Sequence, residues 1–310
     1  MRPVLHVEAP GLFTTVQDLG RLSAISAGVP QGGAMDRFAH SAANLLVGNH
    51  PGRATLECTL RGPALVADDS CLVAITGADF DAHVNGAPVP MWTSTVLGAG
   101  DRLSFASRRS GARAYIAVAG GIEADRWLGS QSTYVLAARG GMSGRPLKAG
   151  DVLMVSAEAG KPAVPGCRLD ANLRPDYDEH TLYSIAGPHA KRLSAEGLGL
   201  LFGTAYTLSP ASDRMGYRLE GAPLVTTGEE LLSFGLVAGA VQVPHNGQPI
   251  LLMADHQTAG GYPVVATVVS ASIPIAAQLL PGDELRFREI GVERAHQMRK
   301  ALESALDSLR

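Results

Sequence analysis

Only three of the chain's 310 residues are cysteine, and 5% are aromatic. Cys58, Cys71 and Cys167 are an odd, scattered set without CxxC spacing. That excludes a disulfide framework and a thiolate zinc site, and predicts reduced thiols in a cytoplasmic protein. Sparse aromatics argue against base-stacking platforms. A formal net charge of −3 leaves no electrostatic footprint for nucleic acid. Lysine occurs only at Lys148, Lys161, Lys191 and Lys300, so most cationic chemistry falls to arginine. There is no apolar run of about 18 residues, so no spanning helix is expected. The N-terminus lacks the basic-then-apolar pattern of a secretory signal.

Several catalytic signatures are also missing. No GxSxG elbow occurs; Gly141-Met142-Ser143-Gly144-Arg145 is the nearest approach. No HExxH motif or close histidine pair suggests a metal, so no metal ligand is assigned. There is no Walker A lysine and no Met-Lys-Met biotin-carrier segment. If ATP or biotin takes part in the chemistry, neither the usual nucleotide motif nor the covalent attachment point is in this chain.

What is present centres on Gln242 to Val269, QVPHNGQPILLMADHQTAGGYPVVATVV. Ile250–Met253 and Val264–Val269 read as buried strands, short and bounded by Gly and Pro. Between them Asp255, His256, Gln257, Thr258, Gly260, Gly261 and Tyr262 form a polar loop. One reading is a tight connection built from ordinary turn residues. The other is a ligand loop on a rigid scaffold, with Gly260-Gly261 permitting positive φ or close backbone approach. Asp255 and His256 could then do acid–base work. Arg21, Arg37, Arg145, Arg214 and Arg218 could each bind a carboxylate bidentately, although a lone Arg is more often structural.

The rest of the chain is strand-rich. Val4–Val7 opens it, and Gln17, Asp18 and Arg21 read as polar tips of the following strand and turn. Gly28-Val29-Pro30-Gln31-Gly32-Gly33 leads into a helix with Asp36 as N-cap, an apolar stripe of Phe38, Ala42, Leu45 and Leu46, and Gly48 as stop. Regular short strands from Ala54 to Val118 suggest a barrel or sandwich. The long glycine-rich stretch from Gly120 to Gly144 reads as a functional or interface loop. Ala295, Met298, Leu302, Ala305 and Leu309 fall at helical spacing, predicting an amphipathic C-terminal helix.

The two halves share an order of landmarks. Gly62-Pro63-Ala64, Asn85-Gly86 and Gly100-Asp101-Arg102-Leu103 in the first match Gly221-Ala222-Pro223, Asn246-Gly247 and Gly282-Asp283-Glu284-Leu285 in the second. Asn-Gly is a tight-turn signal. The expected organisation is a first barrel-like half over residues 1–160, a linker over 161–180, and a second half over 181–310 that ends in the helix.

Several long motifs carry a resemblance over nearly the whole chain: VPQGGAMDRFAHSAANLLVGN, AVAGGIEADRWLGSQST, GGMSGRPLKAGDVL, SDRMGYRLEG and QVPHNGQPILLMADHQTAGGYP. They resemble the allophanate hydrolase subunit 2 family, the carboxyltransferase-domain family that includes the C subunit of 5-oxoprolinase. The resemblance implies a mainly β fold of two related cyclophilin-like β-barrel subdomains with a few helices. It implies a B-subunit partner, similar to allophanate hydrolase subunit 1, and an A-subunit partner. It implies one component of an ATP-dependent enzyme that opens 5-oxoproline to glutamate. Two alternatives accompany it: the carboxyltransferase component of a biotin-dependent urea or amide carboxylase, and a non-catalytic regulator that binds its B-subunit homologue. Within the matched motifs, Asp255 and His256 are the catalytic candidates. Arg21, Gln31, Asp36, Arg214, Gln242, Asn246, Gln257, Thr258 and Tyr262 are the substrate-binding candidates. Two positions depart from the family pattern: His256 stands where the family has Arg, and Gln131 stands where Arg is common. Each removes a cation from a loop, which bears on substrate identity.

Overall fold

The computed structural model describes residues 1–156 and 164–310. It divides into two compact units. The first comprises Met1–Arg21, Gly32–Arg174 and Leu302–Arg310; the second comprises Leu22–Gln31 and Pro175–Ala301. This grouping differs from the boundaries expected from sequence: a short N-terminal segment joins the second unit and the last nine residues join the first. The start of the expected linker, with Pro162, lies outside the described residues.

The first unit is built on two sheets. Arg2–Ala9 lies inside a seven-stranded sheet, flanked by Val152–Val155 and Ala64–Ala67. The second sheet runs in the order Phe13–Gln17, Thr55–Thr59, Ser110–Val118, Cys71–Asp79 and Ser94–Leu97. Cys71–Asp79 and Ser110–Val118 are buried almost throughout. Their near-continuous apolar runs reflect burial on both faces. One face meets a core that includes Val4, Leu5, Leu65, Leu103 and Leu153. The other is covered by helix Arg37–Leu46.

That helix starts where the sequence places it. Asp36 is extended, and its carboxylate accepts the Ala39 backbone N–H at 2.9 Å. The cap satisfies one of the orphan donors of the first turn. Gly48, at φ +73°, ends the helix in a conformation that glycine adopts without strain. The apolar stripe is only part of what is hidden, since every residue from Phe38 to Leu46 is buried.

The second unit is a closed seven-stranded barrel. Its order is Thr181–Ala186, Val264–Val268, Ala240–Gln242, Ile250–Leu252, Gly216–Glu220, Ala205–Leu208 and Glu284–Glu289. The last strand closes on the first by parallel pairing. Alternation decides inside from outside. Tyr206, Tyr217, Leu219, Leu251 and Phe287 fill the interior, whereas Arg218, Glu220 and Arg286 face outward. The fold is thus mainly β with few helices, and the barrel closes fully in the second unit.

The repeated Gly-Asp turns share one construction. Gly100, Gly150 and Gly282 have φ of +87°, +86° and +94°. The following Asp101, Asp151 and Asp283 each accept the backbone N–H three residues earlier, at 2.7, 2.8 and 2.8 Å. Glycine supplies the left-handed conformation and aspartate ties the turn shut.

The C-terminal helix spans Val292–Asp307. Ala305 is buried, and Ala295, Met298 and Leu302 are half-buried on the same stripe. No helix of the described residues is long and apolar enough to cross a membrane.

Candidate functional site

The loop that dominates the sequence reading is only partly a loop. After Ile250–Leu252 it turns through Met253–Thr258, and Ala259–Gly260 then pairs with Phe234–Gly235. Neither Gly260 nor Gly261 has positive φ. Their reason is close approach: a Cβ on Gly261 would lie 2.9 Å from the Leu231 carbonyl oxygen. One on Gly260 would lie 3.0 Å from Leu236 Cδ1 and 3.3 Å from Gln242 Nε2.

A cavity of about 670 Å³ opens on the outer face of the barrel beside this segment. Its size falls in the ordinary range for small-molecule sites. Three adjacent strands make its floor. Arg218 pairs in register with Ile250, and Ile250 pairs with Gln242. All three line the cavity. Interior neighbours Tyr217, Leu251 and Val241 alternate with them and anchor the floor to the barrel core. A Cβ on Gly216 would meet Ile250 Cγ2 at 3.0 Å, so glycine there keeps the floor clear. Pro244-His245-Asn246 and Tyr262 form part of the rim. His245 and Tyr262 meet edge to face at 5.8 Å.

Four substrate-binding candidates therefore come together at this cavity: Gln242, Asn246, Gln257 and Tyr262. Gln242 is 1% exposed, and its Oε1 accepts from Gln257 Nε2 at 3.2 Å. Its own Nε2 is buried without a partner among the described residues. Asn246 Oδ1 accepts the Gln248 backbone N–H at 3.1 Å, fixing the turn at the rim.

Asp255 and His256 sit behind this wall and do not line the cavity. Arg214 Nε and Nη2 donate to the two Asp255 carboxylate oxygens at 2.8 and 3.1 Å. The Asp255 backbone N–H donates to the Arg214 carbonyl at 2.8 Å. The pair thus braces the 213–216 turn against the 253–257 turn, both of which contribute cavity residues. His256 donates from Nδ1 to the Gln257 carbonyl at 2.7 Å. Burial lowers its pKa, the Gln257 bond and Asp255 oppose that shift, and the imidazole is neutral near pH 7. Thr258 holds Leu236 through its backbone carbonyl and is also away from the cavity.

The remaining candidates lie elsewhere. Asp36 is fully buried at its helix cap, where its backbone N–H also donates to the Tyr115 hydroxyl at 2.7 Å. Gln31 is half-buried in the segment grouped with the second unit. Arg21, read from sequence as a polar tip with Gln17 and Asp18, is 1% exposed. Its Nη2 donates to the Ser132 carbonyl at 2.5 Å, and the guanidinium lies 5.1 Å from the Trp127 ring centroid. Asp18 is buried too, and it organises the Gly129–Thr133 stretch of the long loop. Its carboxylate accepts from the Ser130 and Ser132 hydroxyls at 2.6 and 2.5 Å, and from the Gly20 and Gln131 backbone N–H groups, each at 2.7 Å. Burial raises its pKa, but these four donors outweigh it and hold the carboxyl below the usual range. The polar tips are thus an internal anchor: a carboxylate that is given this many donors can be buried, and composition does not show the donors. Gln131, the second family departure, is buried and donates to the Ala124 carbonyl at 3.2 Å.

In the sequence Arg218 is only one of five arginines that offer the same carboxylate-binding chemistry, with Arg21, Arg37, Arg145 and Arg214. Its side chain is exposed at the cavity and has no partner among the described residues. Arg145, by contrast, is tied to Asp151 through two bonds of 2.8 Å. The strand alternation around Tyr217 and Leu219 is the available signal for Arg218.

The chain's residues 27–289 match the family model described as carboxyltransferase domain, subdomain A and B. The chain belongs to that carboxyltransferase-domain family. Among its relatives, the 5-oxoprolinase C subunit of Escherichia coli is 38% identical over 96% of this chain and 94% of its own length. The Haemophilus influenzae protein of the same name is 33% identical, with the same coverage of 96% and 94%. The solved urea carboxylase of Kluyveromyces lactis superposes with a TM-score of 0.93 at 28% identity, covering 100% of this chain but 29% of that one. The urea amidolyase of Lachancea kluyveri is 31% identical over 98% of this chain and 18% of its own length. The chain thus spans nearly all of the oxoprolinase proteins and a minor part of the urea enzymes.

Proposed function

We propose that this chain is the C subunit of an ATP-dependent 5-oxoprolinase that opens 5-oxoproline to glutamate together with A and B subunits in the cytoplasm. One observation carries the reading: the chain matches a protein named as that subunit over almost its full length, at 38% identity. The cavity supports it chemically, with the Arg218 guanidinium, unpaired among the described residues, and the Gln242 and Gln257 carboxamides about Ile250, in a lining that also holds Asp213 and Glu220. This chain's part is to hold the lactam; Gln242, Gln257, Arg218, Asn246 and Tyr262 are the contact residues. Asp255 and Arg214 act as positioning residues behind them. The sequence has no phosphate-binding lysine loop, and the nucleotide is assigned to the partner proteins as part of this proposal.

A second reading, carboxyl transfer from carboxybiotin to urea, is favoured by the TM-score of 0.93 to urea carboxylase. It requires a separate biotin carrier, since this chain has no attachment lysine motif. Co-expression with the A and B homologues, followed by an assay for glutamate and ADP, separates the two. Coupled release of both supports the oxoprolinase. Carboxylation of urea by the same complex would replace it.

A further inference from the structure

The Gln242–Gln257 pair is an unfinished hydrogen-bond network at the floor of the cavity. Gln257 spends one N–H on Gln242 Oε1 at 3.2 Å. Its Oε1 and second N–H have no partner among the described residues, and the side chain lines the cavity. Gln242 Nε2 is buried and unpaired. Gly260 backs the pair and leaves it room, with a notional Cβ at 3.3 Å from Gln242 Nε2 and 3.7 Å from Gln257 Nε2. Across the floor, Arg218 and Gln242 flank Ile250 in register. Two strand spacings put their backbones about 10 Å apart, which lets the long Arg218 side chain converge on a small ligand over Ile250.

A primary carboxamide presents a carbonyl oxygen and an N–H side by side. The complementary edge is a cis amide, with its own C=O and N–H on one side. Open-chain secondary amides are trans, whereas a small lactam ring is held cis. We infer that Gln257, oriented by Gln242, reads the cis-amide edge of a lactam while Arg218 takes a carboxylate on the same ring. The ligand class is a small lactam acid. This rests on the oxoprolinase reading for the reaction, but it assigns recognition to named atoms that the reading leaves open. The cis-amide edge alone would also suit urea; Arg218 is what selects an acid.

The test is calorimetric titration of the full chain with 5-oxoproline, 2-pyrrolidinone, proline and urea, alongside turnover by the reconstituted complex. Wild type binds 5-oxoproline at least about tenfold more tightly than 2-pyrrolidinone, which lacks the carboxylate, and than proline, which lacks the lactam carbonyl. Arg218→Gln removes the preference for 5-oxoproline over 2-pyrrolidinone. Gln257→Glu weakens both by about tenfold or more, and in the complex raises KM with little change in kcat. Binding with this selectivity but without turnover leaves the inference standing and sinks the oxoprolinase reading. Turnover by the wild-type complex with unchanged KM in both variants overturns the inference. So does wild-type chain that binds none of the probes, or that prefers urea.

Discussion

Arg214 and Asp255 are tied by two charge-assisted bonds at 14% and 10% side-chain exposure, so neither ion can be removed without stranding the other. Asp255→Ala should lower unfolding stability by about 3 kcal/mol, seen as a reduced denaturant midpoint with an unchanged slope. A variant as stable as wild type would refute the brace. Loss of turnover in Asp255→Ala would therefore not by itself mark the catalytic carboxylate that the sequence suggests; Asp255→Asn should restore part of both stability and KM. Acid behaviour follows from two buried groups in the first unit. Asp18 has a folded pKa below its unfolded value, so its contribution is present above the ordinary carboxylate range and is lost as pH falls through the folded value. His40 is fully buried and pushed down to about 4 by desolvation, against an unfolded value of 6.5. Its neutral form is favoured by folding, which contributes about 3 kcal/mol above pH 6.5 that drains away as pH falls toward 4. Denaturant midpoints measured from pH 7 to 4 should fall, and His40→Gln should flatten the upper part of that slope. A flat wild-type profile over that window would contradict the His40 assignment, since the Asp18 contribution is lost only at lower pH.

At the scale of turns and strands, two kinds of glycine make opposite predictions. Gly282 has φ +94° and open space where a Cβ would stand, so Gly282→Ala costs only the left-handed backbone, about 1–2 kcal/mol. Gly260 has ordinary φ but no room, so Gly260→Ala should disturb the Gln242–Gln257 pair and weaken ligand binding more than stability. Thermal unfolding and titration of the two variants distinguish strain from obstruction; equal effects on binding would contradict the account. The same contrast shows what is legible in the sequence. Asp36, the Phe38–Leu46 stripe and Gly48 specify a helix through contacts within one turn, and Gly-Asp specifies its turn within four residues. Those are local rules, and they can be read from one string. Asp18 meets Ser130 and Ser132 across more than a hundred residues, so in the sequence it reads as a turn tip. The row Arg218–Ile250–Gln242 depends on the register of three strands. Alternation places Arg218 on an outer face, but only pairing puts it opposite Gln242. Gln242, Asn246, Gln257 and Tyr262 are legible because they share one stretch of chain with the cavity.

For the whole molecule, the relatives in the carboxyltransferase-domain family bear the names of two enzymes, 5-oxoprolinase and urea carboxylase, and the two proposed chemistries both begin with a cis amide. The chain's near-complete match to the C subunit of 5-oxoprolinase, against a minor share of the urea enzymes, favours the first. The deciding measurement is glutamate formation from 5-oxoproline by this chain assembled with its A and B homologues, with ATP hydrolysis followed in parallel. The account predicts that glutamate and ADP appear together, and that both vanish when this chain is omitted. An intact, folded complex that forms neither product, or that carboxylates urea from carboxybiotin instead, would contradict it.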